Sequence, residues 1–261
     1  MSNLSYVDTG TGAPVVFLHG NPTSSHLWRN VIPGVPGRRL APDLIGMGSS
    51  PRPPIDYTFA DHAHYLEEWF DALSLDNVVL VGHDWGGALA ADWASRHPSR
   101  VRALAFTEAV LKPMTWEEFP PAGAEVFRAL KTPGAGEPMI DMFLKSLPPE
   151  YEGMYPTPES RIPLLRWARS MPLDGEPESV VSRIEEFDGW LASSPDVPKL
   201  LITFDPGPDT MLTPPMIDWM TSNFAGLKVA HHPVEAGHHT PEDQPKRIAE
   251  TLTNWLTAGL E

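Results

Sequence analysis

The sequence contains no cysteine, which excludes disulfides, thiolate metal sites and a cysteine nucleophile together. It is also poor in positive charge, with 19 Lys and Arg against 34 Asp and Glu and a net charge of -15. Such a chain repels a phosphate backbone and an anionic membrane surface, so neither nucleic acid nor membrane is expected as a partner. No apolar run approaches the roughly 20 residues that a membrane helix needs. The start, Met1 to Ser5, has neither the basic nor the apolar half of a signal peptide, and a cytoplasmic setting is expected. Proline is abundant: 30 in 261 residues, roughly twice ordinary usage, which demands many fixed turns. With 41% apolar and 20% charged residues the composition is that of a packed globular protein. The length suits one α/β domain or a core with an inserted module.

The first half alternates short apolar runs with helical patterns, the signature of a parallel sheet built from strand-helix-strand units. Val15 to Leu18 ends at His19-Gly20, Arg39 to Ala41 at Pro42-Asp43, Val78 to Val81 at Gly82, and Val101 to Phe106 at Thr107-Glu108. Between them, Tyr65, Leu66, Trp69, Phe70 and Leu73 recur at helical spacing, and Gly86 to Arg96 reads as a helix stopped before Pro98. From Leu111 to Ser193 the alternation gives way to proline-broken helical pieces such as Glu117 to Leu130 and Ser179 to Leu191. Strand patterns resume at Lys199 to Phe204 and Leu227 to Val234, before a closing amphipathic helix with Ile248, Leu252, Trp255 and Leu256. The expected architecture is a mostly parallel sheet flanked by helices, formed by residues 1–110 and 194–261, with residues 111–193 inserted as a helical cap. There is no internal repeat and no low-complexity tract. Polar residues gather where strands end, the edge at which open α/β sheets bind ligands.

At that edge lies Gly82-His83-Asp84-Trp85-Gly86-Gly87. Small residues on either side of a central reactive residue, between a strand and a helix, form a nucleophile elbow, in which a strained turn lifts one side chain above the sheet. The bland reading is a glycine-rich turn with an aspartate helix cap. The central residue is Asp84, and a carboxylate suits displacement of a leaving group from sp3 carbon better than acyl transfer. The resulting alkyl ester needs a water activated by a base, and His238 in Gly237-His238-His239-Thr240-Pro241-Glu242-Asp243 follows the last strand at the same edge. His62, His64, His231 and His232 read as surface residues. No carboxylate falls at ligand spacing around His231 to His239, so no metal is expected. The base needs an acidic partner. Glu108, ending the strand beside that of Asp84, is favoured over Asp209, which reads equally well as a turn residue. Asn21, in His19-Gly20-Asn21-Pro22, and Trp85 supply neutral N–H donors beside the nucleophile. A tryptophan after an elbow is more often packing, but paired with Asn21 it suits a leaving halide, which takes up negative charge and no proton.

Together these residues resemble the haloalkane dehalogenases of the α/β-hydrolase superfamily, most closely the subgroup with an Asp-His-Glu triad. The resemblance runs through His19 to Ser25, Pro42 to Gly48, Gly82 to Gly87 and Gly237 to Asp243, and covers nearly the whole chain. It implies Asp84 as nucleophile, His238 as base, Glu108 as acid and Asn21 with Trp85 as the halide-binding pair. The 24 positions separating Glu108 from Asp84 agree with that subgroup. It also implies a small halogenated substrate, water and a released halide ion, with no cofactor. The family usually has a further strand before Ser5-Tyr6-Val7, so seven strands are expected here. The cap is shorter than is usual between Leu147 and Tyr155, and the loop Pro206 to Pro215 is longer. Phe119 belongs to a family-like stretch, Trp116 to Pro120, whereas the usual phenylalanines of the pocket correspond to Ala122 and Trp167. An altered pocket is expected.

Other readings share the fold. An epoxide hydrolase, or a natural-product ring-opening relative, needs cap tyrosines to protonate an alkoxide, and the cap offers Tyr151 and Tyr155. The chain is also similar to the Renilla-type luciferases, which share the triad, Asn21 and Trp85 positions and a tryptophan at the site of Trp167. A non-catalytic binder has no use for nucleophile, base and acid together.

Overall fold

The computed structural model describes residues 4–132, 134, 136–207 and 209–260, apart from the side chain of residue 122. Seven strands form one sheet: β1 (Tyr6–Thr9), β2 (Pro14–Leu18), β3 (Arg38–Pro42), β4 (Val78–His83), β5 (Val101–Thr107), β6 (Lys199–Pro206) and β7 (Leu227–Ala236). Their order is β1-β3-β2-β4-β5-β6-β7. β1 runs antiparallel to β3, and every other pairing is parallel. The seven-stranded, mostly parallel sheet is the one the sequence predicts.

Helices cover both faces, which is why the central strands read as continuous apolar runs. Alternate residues serve opposite faces. Val16, Leu18, Leu80, Leu104 and Phe106 join one apolar cluster, while Val15, Phe17, Val79, Val81, Ala103 and Ala105 join the other. The second cluster is closed by Ile248, Leu252 and Trp255 of the last helix, α10 (Pro245–Thr257). The first is covered by α1 (Phe59–Ala72) and α2 (Trp85–Arg96). α1 starts at a reciprocal cap in which Thr58 and Asp61 each accept from the other's backbone N–H.

Between β5 and β6 the described residues form α3 (Pro121–Lys131), α4 (Gly136–Ser146), α5 (Pro149–Met154), α6 (Ile162–Arg169) and α7 (Glu178–Ser193). Their apolar faces, carrying Leu130, Ile140, Leu164 and Ile184, extend the first cluster without a break. α3 begins four residues later than the expected Glu117. Glu118 is held in a preceding turn, accepting from Thr115 N–H at 2.9 Å, and Pro121 takes the first helical position, where its missing N–H costs nothing. α8 (Pro214–Asn223) connects β6 to β7, and the short α9 (Thr240–Asp243) precedes α10. No described helix is long and apolar enough to cross a membrane.

The β4–α2 junction positions the site. Asp84 adopts φ 51° and ψ -127°, a strained backbone that turns its side chain off the strand end. Gly86 lets the start of α2 approach β2, for a Cβ there would collide with the backbone carbonyls of Leu18 and His19. The obstacles are backbone atoms and not flexible side chains. Gly86→Ala is therefore expected to lower the unfolding free energy by about 3 kcal/mol, the upper end of ordinary overpacking costs, measured by urea denaturation.

Candidate active site

Three strand ends bring three ionisable side chains together. Asp84 follows β4, Glu108 follows the neighbouring β5, and His238 follows β7. His238 Nδ1 lies 3.1 Å from Glu108 Oε2, and its Nε2 lies 3.7 Å from Asp84 Oδ1. All three are buried, Asp84 being only 3% exposed. The sequence had left two carboxylates open as partners of the histidine. The structure places Glu108 against the ring, whereas Asp209 makes no hydrogen bond or ion pair with it among the described residues.

Backbone donors hold both carboxylates. Asp84 Oδ2 accepts the Asn21 N–H at 2.7 Å, and Glu108 Oε2 accepts the N–H groups of Met211 and Leu212 at 2.8 and 3.2 Å. The loop carrying Asn21 is itself fixed. His19 Nδ1 donates to the Gly20 carbonyl at 2.9 Å, and its Nε2 accepts the Leu44 N–H at 2.9 Å, so this ring is a neutral tautomer bridging two strand ends. On the other side, His83 Nε2 donates to the His238 carbonyl at 2.8 Å and holds the histidine loop against β4.

The electrostatics follow from burial. Loss of water pushes the Asp84 carboxyl above its usual range, against the pull of His238 and of the Asn21 and Trp85 backbone N–H groups. For His238 burial opposes the charged form, but the Glu108 hydrogen bond and the charges of Asp84, Glu108 and Asp209 outweigh it and raise the imidazole above its ordinary 6.5. Among the described residues the adjacent His239 has no such partner, and burial, helped by the charge of His238, lowers it to about 3.

Asp84, His238, Asn21 and Trp85 meet at the wall of a cavity of about 290 Å3. The remaining wall is mainly apolar, with Phe119, Phe127, Phe143 and Met171 from the inserted helices and their flanks, and Met211 from the loop after β6. Phe119 lines the cavity beside Pro120. Ala122 lies on α3, with its side chain outside the described residues. Trp167 requires correction: it stacks on Trp85, ring centroids 4.7 Å apart and 27° between planes, and is not among the residues that line the cavity. The adjacent Ala168 lines the cavity instead. His62 was expected at the surface and is buried, stacked on the far face of Trp167 at 4.2 Å. Its position between Phe59 and Leu66 places it on the core-facing stripe of α1.

Sequence reading missed His239, Phe127, Phe143 and Met171 as cavity residues. The two phenylalanines lie on apolar helical stripes, which look the same whether they face a core or a cavity, and Met171 lies in the irregular chain just after α6. Tyr151 and Tyr155 do not line the cavity. Tyr151 donates to Glu242 at 2.6 Å and Tyr155 to the Thr23 carbonyl at 3.2 Å. Among the described residues no group of three or more His, Asp or Glu is placed to hold a metal ion.

An elbow aspartate, a histidine after the last strand and helices inserted over the strand ends define a hydrolase of the α/β class, and the family described as alpha/beta hydrolase fold matches residues 13–184. Among curated proteins, a haloalkane dehalogenase of Agrobacterium fabrum is 43% identical over 270 residues, 96% of this chain and 87% of that protein. One from Mesorhizobium japonicum is 41% identical over 98% of this chain and 88% of its own length. Among solved structures, the haloalkane dehalogenase DatA of Agrobacterium tumefaciens superposes with a TM-score of 0.90 at 42% identity, covering 98% of this chain and 92% of that one. The chain belongs to the haloalkane dehalogenases.

The charges around His238 make a direct prediction. In wild-type protein the His238 ring should titrate above 6.5, and in Glu108→Gln its midpoint should move down, because the carboxylate charge favouring the imidazolium is lost while burial remains. NMR of the ring nitrogens across a pH series measures both midpoints.

Proposed function

We propose that this chain hydrolyses carbon–halogen bonds of small haloalkanes in two steps, with Asp84 as nucleophile, His238 as base and Glu108 as the acid that orients and charges the base. The observation that carries this reading is the Asp84 carboxylate, set on a strained turn beside His238 Nε2 at the wall of a mainly apolar cavity.

In the first step Asp84 Oδ1, the oxygen not taken up by the Asn21 N–H, attacks the halogen-bearing carbon. A C–O bond forms, the carbon–halogen bond breaks, and the electron pair leaves with halide. Charge moves from the carboxylate to the halogen, so donors aimed at the halogen favour the transition state over the substrate. The Asn21 amide and the Trp85 indole N–H are the donors in this reading. Both are neutral and release a halide more readily than a fixed cation would.

Esterification removes the Asp84 charge, and that charge is one of the influences holding His238 protonated. The midpoint of His238 therefore falls once the ester forms. The neutral imidazole that the second step requires becomes more populated at the point of need. Glu108 keeps the Nδ1–H tautomer, which leaves the Nε2 lone pair to take a proton from water. The hydroxide attacks the Asp84 carbonyl carbon, the developing oxyanion is held by the Asn21 backbone N–H, and on collapse the bond from that carbon to the alkyl oxygen breaks, the leaving oxygen taking the proton of the added hydroxyl so that the alcohol departs. His238 returns its proton to solvent, and Asp84 is regenerated with one oxygen derived from water. The scheme uses no metal and no organic cofactor.

Epoxide opening is not favoured, because the alkoxide it creates needs a proton donor and both cap tyrosines donate elsewhere.

His238→Ala should stop the reaction after the first step. Intact mass spectrometry after incubation with a brominated alkane is expected to show one alkyl adduct, mapped to Asp84 by peptide digestion; an unmodified chain, from a variant whose wild type turns over the same substrate, contradicts the scheme.

Trp85→Phe and Asn21→Leu should each slow alkylation about a hundredfold, the effect of removing one preorganised donor worth about 3 kcal/mol, while sparing ester hydrolysis. Rapid-quench kinetics separates the steps. Wild-type alkylation rates in both variants, or turnover of epoxides with every activated bromide ignored, would overturn the halide assignment.

A further inference from the structure

The Trp85 indole has one side at the cavity, and behind it lies a column of flat rings. Trp167 of α6 stacks on Trp85 at 4.7 Å and 27°, and His62 of α1 stacks on Trp167 at 4.2 Å and 24°. Phe59, one turn before His62, braces the column from the side, with centroids 6.2 Å from Trp85 and 6.1 Å from Trp167. All four rings are buried. The column runs from a core helix, through an inserted helix, to the residue after the nucleophile.

Among the described residues the histidine in this column finds no hydrogen-bond partner: both ring nitrogens of His62 are buried and unpaired there, as is the Trp167 indole nitrogen. Buried polar atoms are ordinarily satisfied, and those that are not call for a reason. Ion pairing is not one, because burial holds the ring neutral, its midpoint lowered to about 3. What remains is shape: a thin flat plate that fits face-on against an indole. Leucine or valine would fill comparable space but present a rounded surface, and the indole ahead of it could tilt.

We propose that His62 is a positioning residue for the first chemical step, holding Trp167 flat against Trp85 and so fixing the direction of the Trp85 N–H. This rests on the reading of Trp85 as a halide donor. His62 does not touch the substrate; it acts through Trp167. The column also makes the donor's direction depend on the seat of α6, because Trp167 reaches Trp85 only when α6 is docked. Displacing a reacting or stabilising group by about 1 Å costs up to about a hundredfold in rate, and a tilted indole is a displacement of that kind.

The test uses three substitutions of the full-length chain. His62→Phe keeps the flat ring, His62→Leu keeps bulk without flatness, and His62→Ala removes both. Bromide binding is followed by the part of tryptophan quenching that disappears in Trp85→Phe, alkylation and ester hydrolysis by rapid quench, and stability by thermal melting. The Leu and Ala variants are expected to bind sodium bromide about tenfold or more weakly and to alkylate between about tenfold and a hundredfold more slowly. Their ester hydrolysis should stay within about twofold of wild type, a split that general loss of structure would not produce. Phe should restore both bromide binding and alkylation and melt no lower than wild type, since it removes two unsatisfied nitrogens. If Ala fails to fold, Leu decides alone. Wild-type bromide affinity and alkylation in the Leu variant, even with a lowered melting temperature, would overturn the proposal, as would a Phe variant as impaired as Leu. Unchanged alkylation in Trp85→Phe would instead remove the halide-donor reading beneath it, which keeps the two failures distinct.

Discussion

A carboxylate buried beside an apolar cavity has to stay ionised without a lysine or arginine bonded to it. Asp84 is held by a backbone N–H and by an imidazole whose own charge is sustained by Glu108. No Lys or Arg lines the cavity among the described residues. This arrangement suits a displacement in which negative charge is moved from one atom to another. A fixed cation close enough to pin Asp84 would lower its nucleophilicity and then grip the departing anion. Neutral dipoles and a titrating imidazole stabilise charge without trapping it. The remaining features of the site serve to keep these few groups aligned in the absence of strong ionic attraction.

Alignment comes from the backbone. Asp84 and Glu108 each stand one residue past the end of adjacent parallel strands, and each has a positive φ, 51° and 47°. Unusual backbone of this kind costs on the order of 1–3 kcal/mol per residue. It persists because the surroundings leave no alternative. Glycines let α2 press onto β2 and β4, and the Asp84 carbonyl accepts both the Gly87 N–H at 3.0 Å and the Val110 N–H at 3.2 Å. The second of these bonds ties the turn carrying the nucleophile to the segment just after Glu108, so the two carboxylates cannot shift independently.

The sheet was legible in the sequence because strands buried on both faces read as unbroken apolar runs, and the polar residue after each run marks the edge of the sheet. Asp84, Glu108, His238 and Asn21 all occupy such positions, which is why pattern alone brought them to one place. The cavity wall was not legible. Phe127 and Phe143 sit on inserted helices whose apolar stripes are satisfied equally by a core or by a substrate, and Met171 sits in the irregular chain just after α6, where no periodicity marks it, so only packing distinguishes wall from core. Trp167 is expected at the wall because its position corresponds to a pocket phenylalanine of the family it resembles, yet its ring is enclosed by Trp85, Phe59 and His62. His62 departs from expectation for a different reason. Its residue type suggested solvent, but Phe59, Leu66 and Trp69 put position 62 on the buried stripe of α1. Periodicity was the better guide there.

Glu108 is held through the backbone N–H groups of Met211 and Leu212, and not through their side chains. The same loop contributes Asp209, Thr210 and Met211 to the cavity wall. One stretch of chain thus fastens the acid and faces the substrate, using different atoms for each. Side chains there are free to diversify while the peptide N–H groups continue to hold Glu108. The loop after β6 is consequently a segment through which a lineage, or a protein engineer, can change what enters the cavity without retuning the chemistry performed inside it.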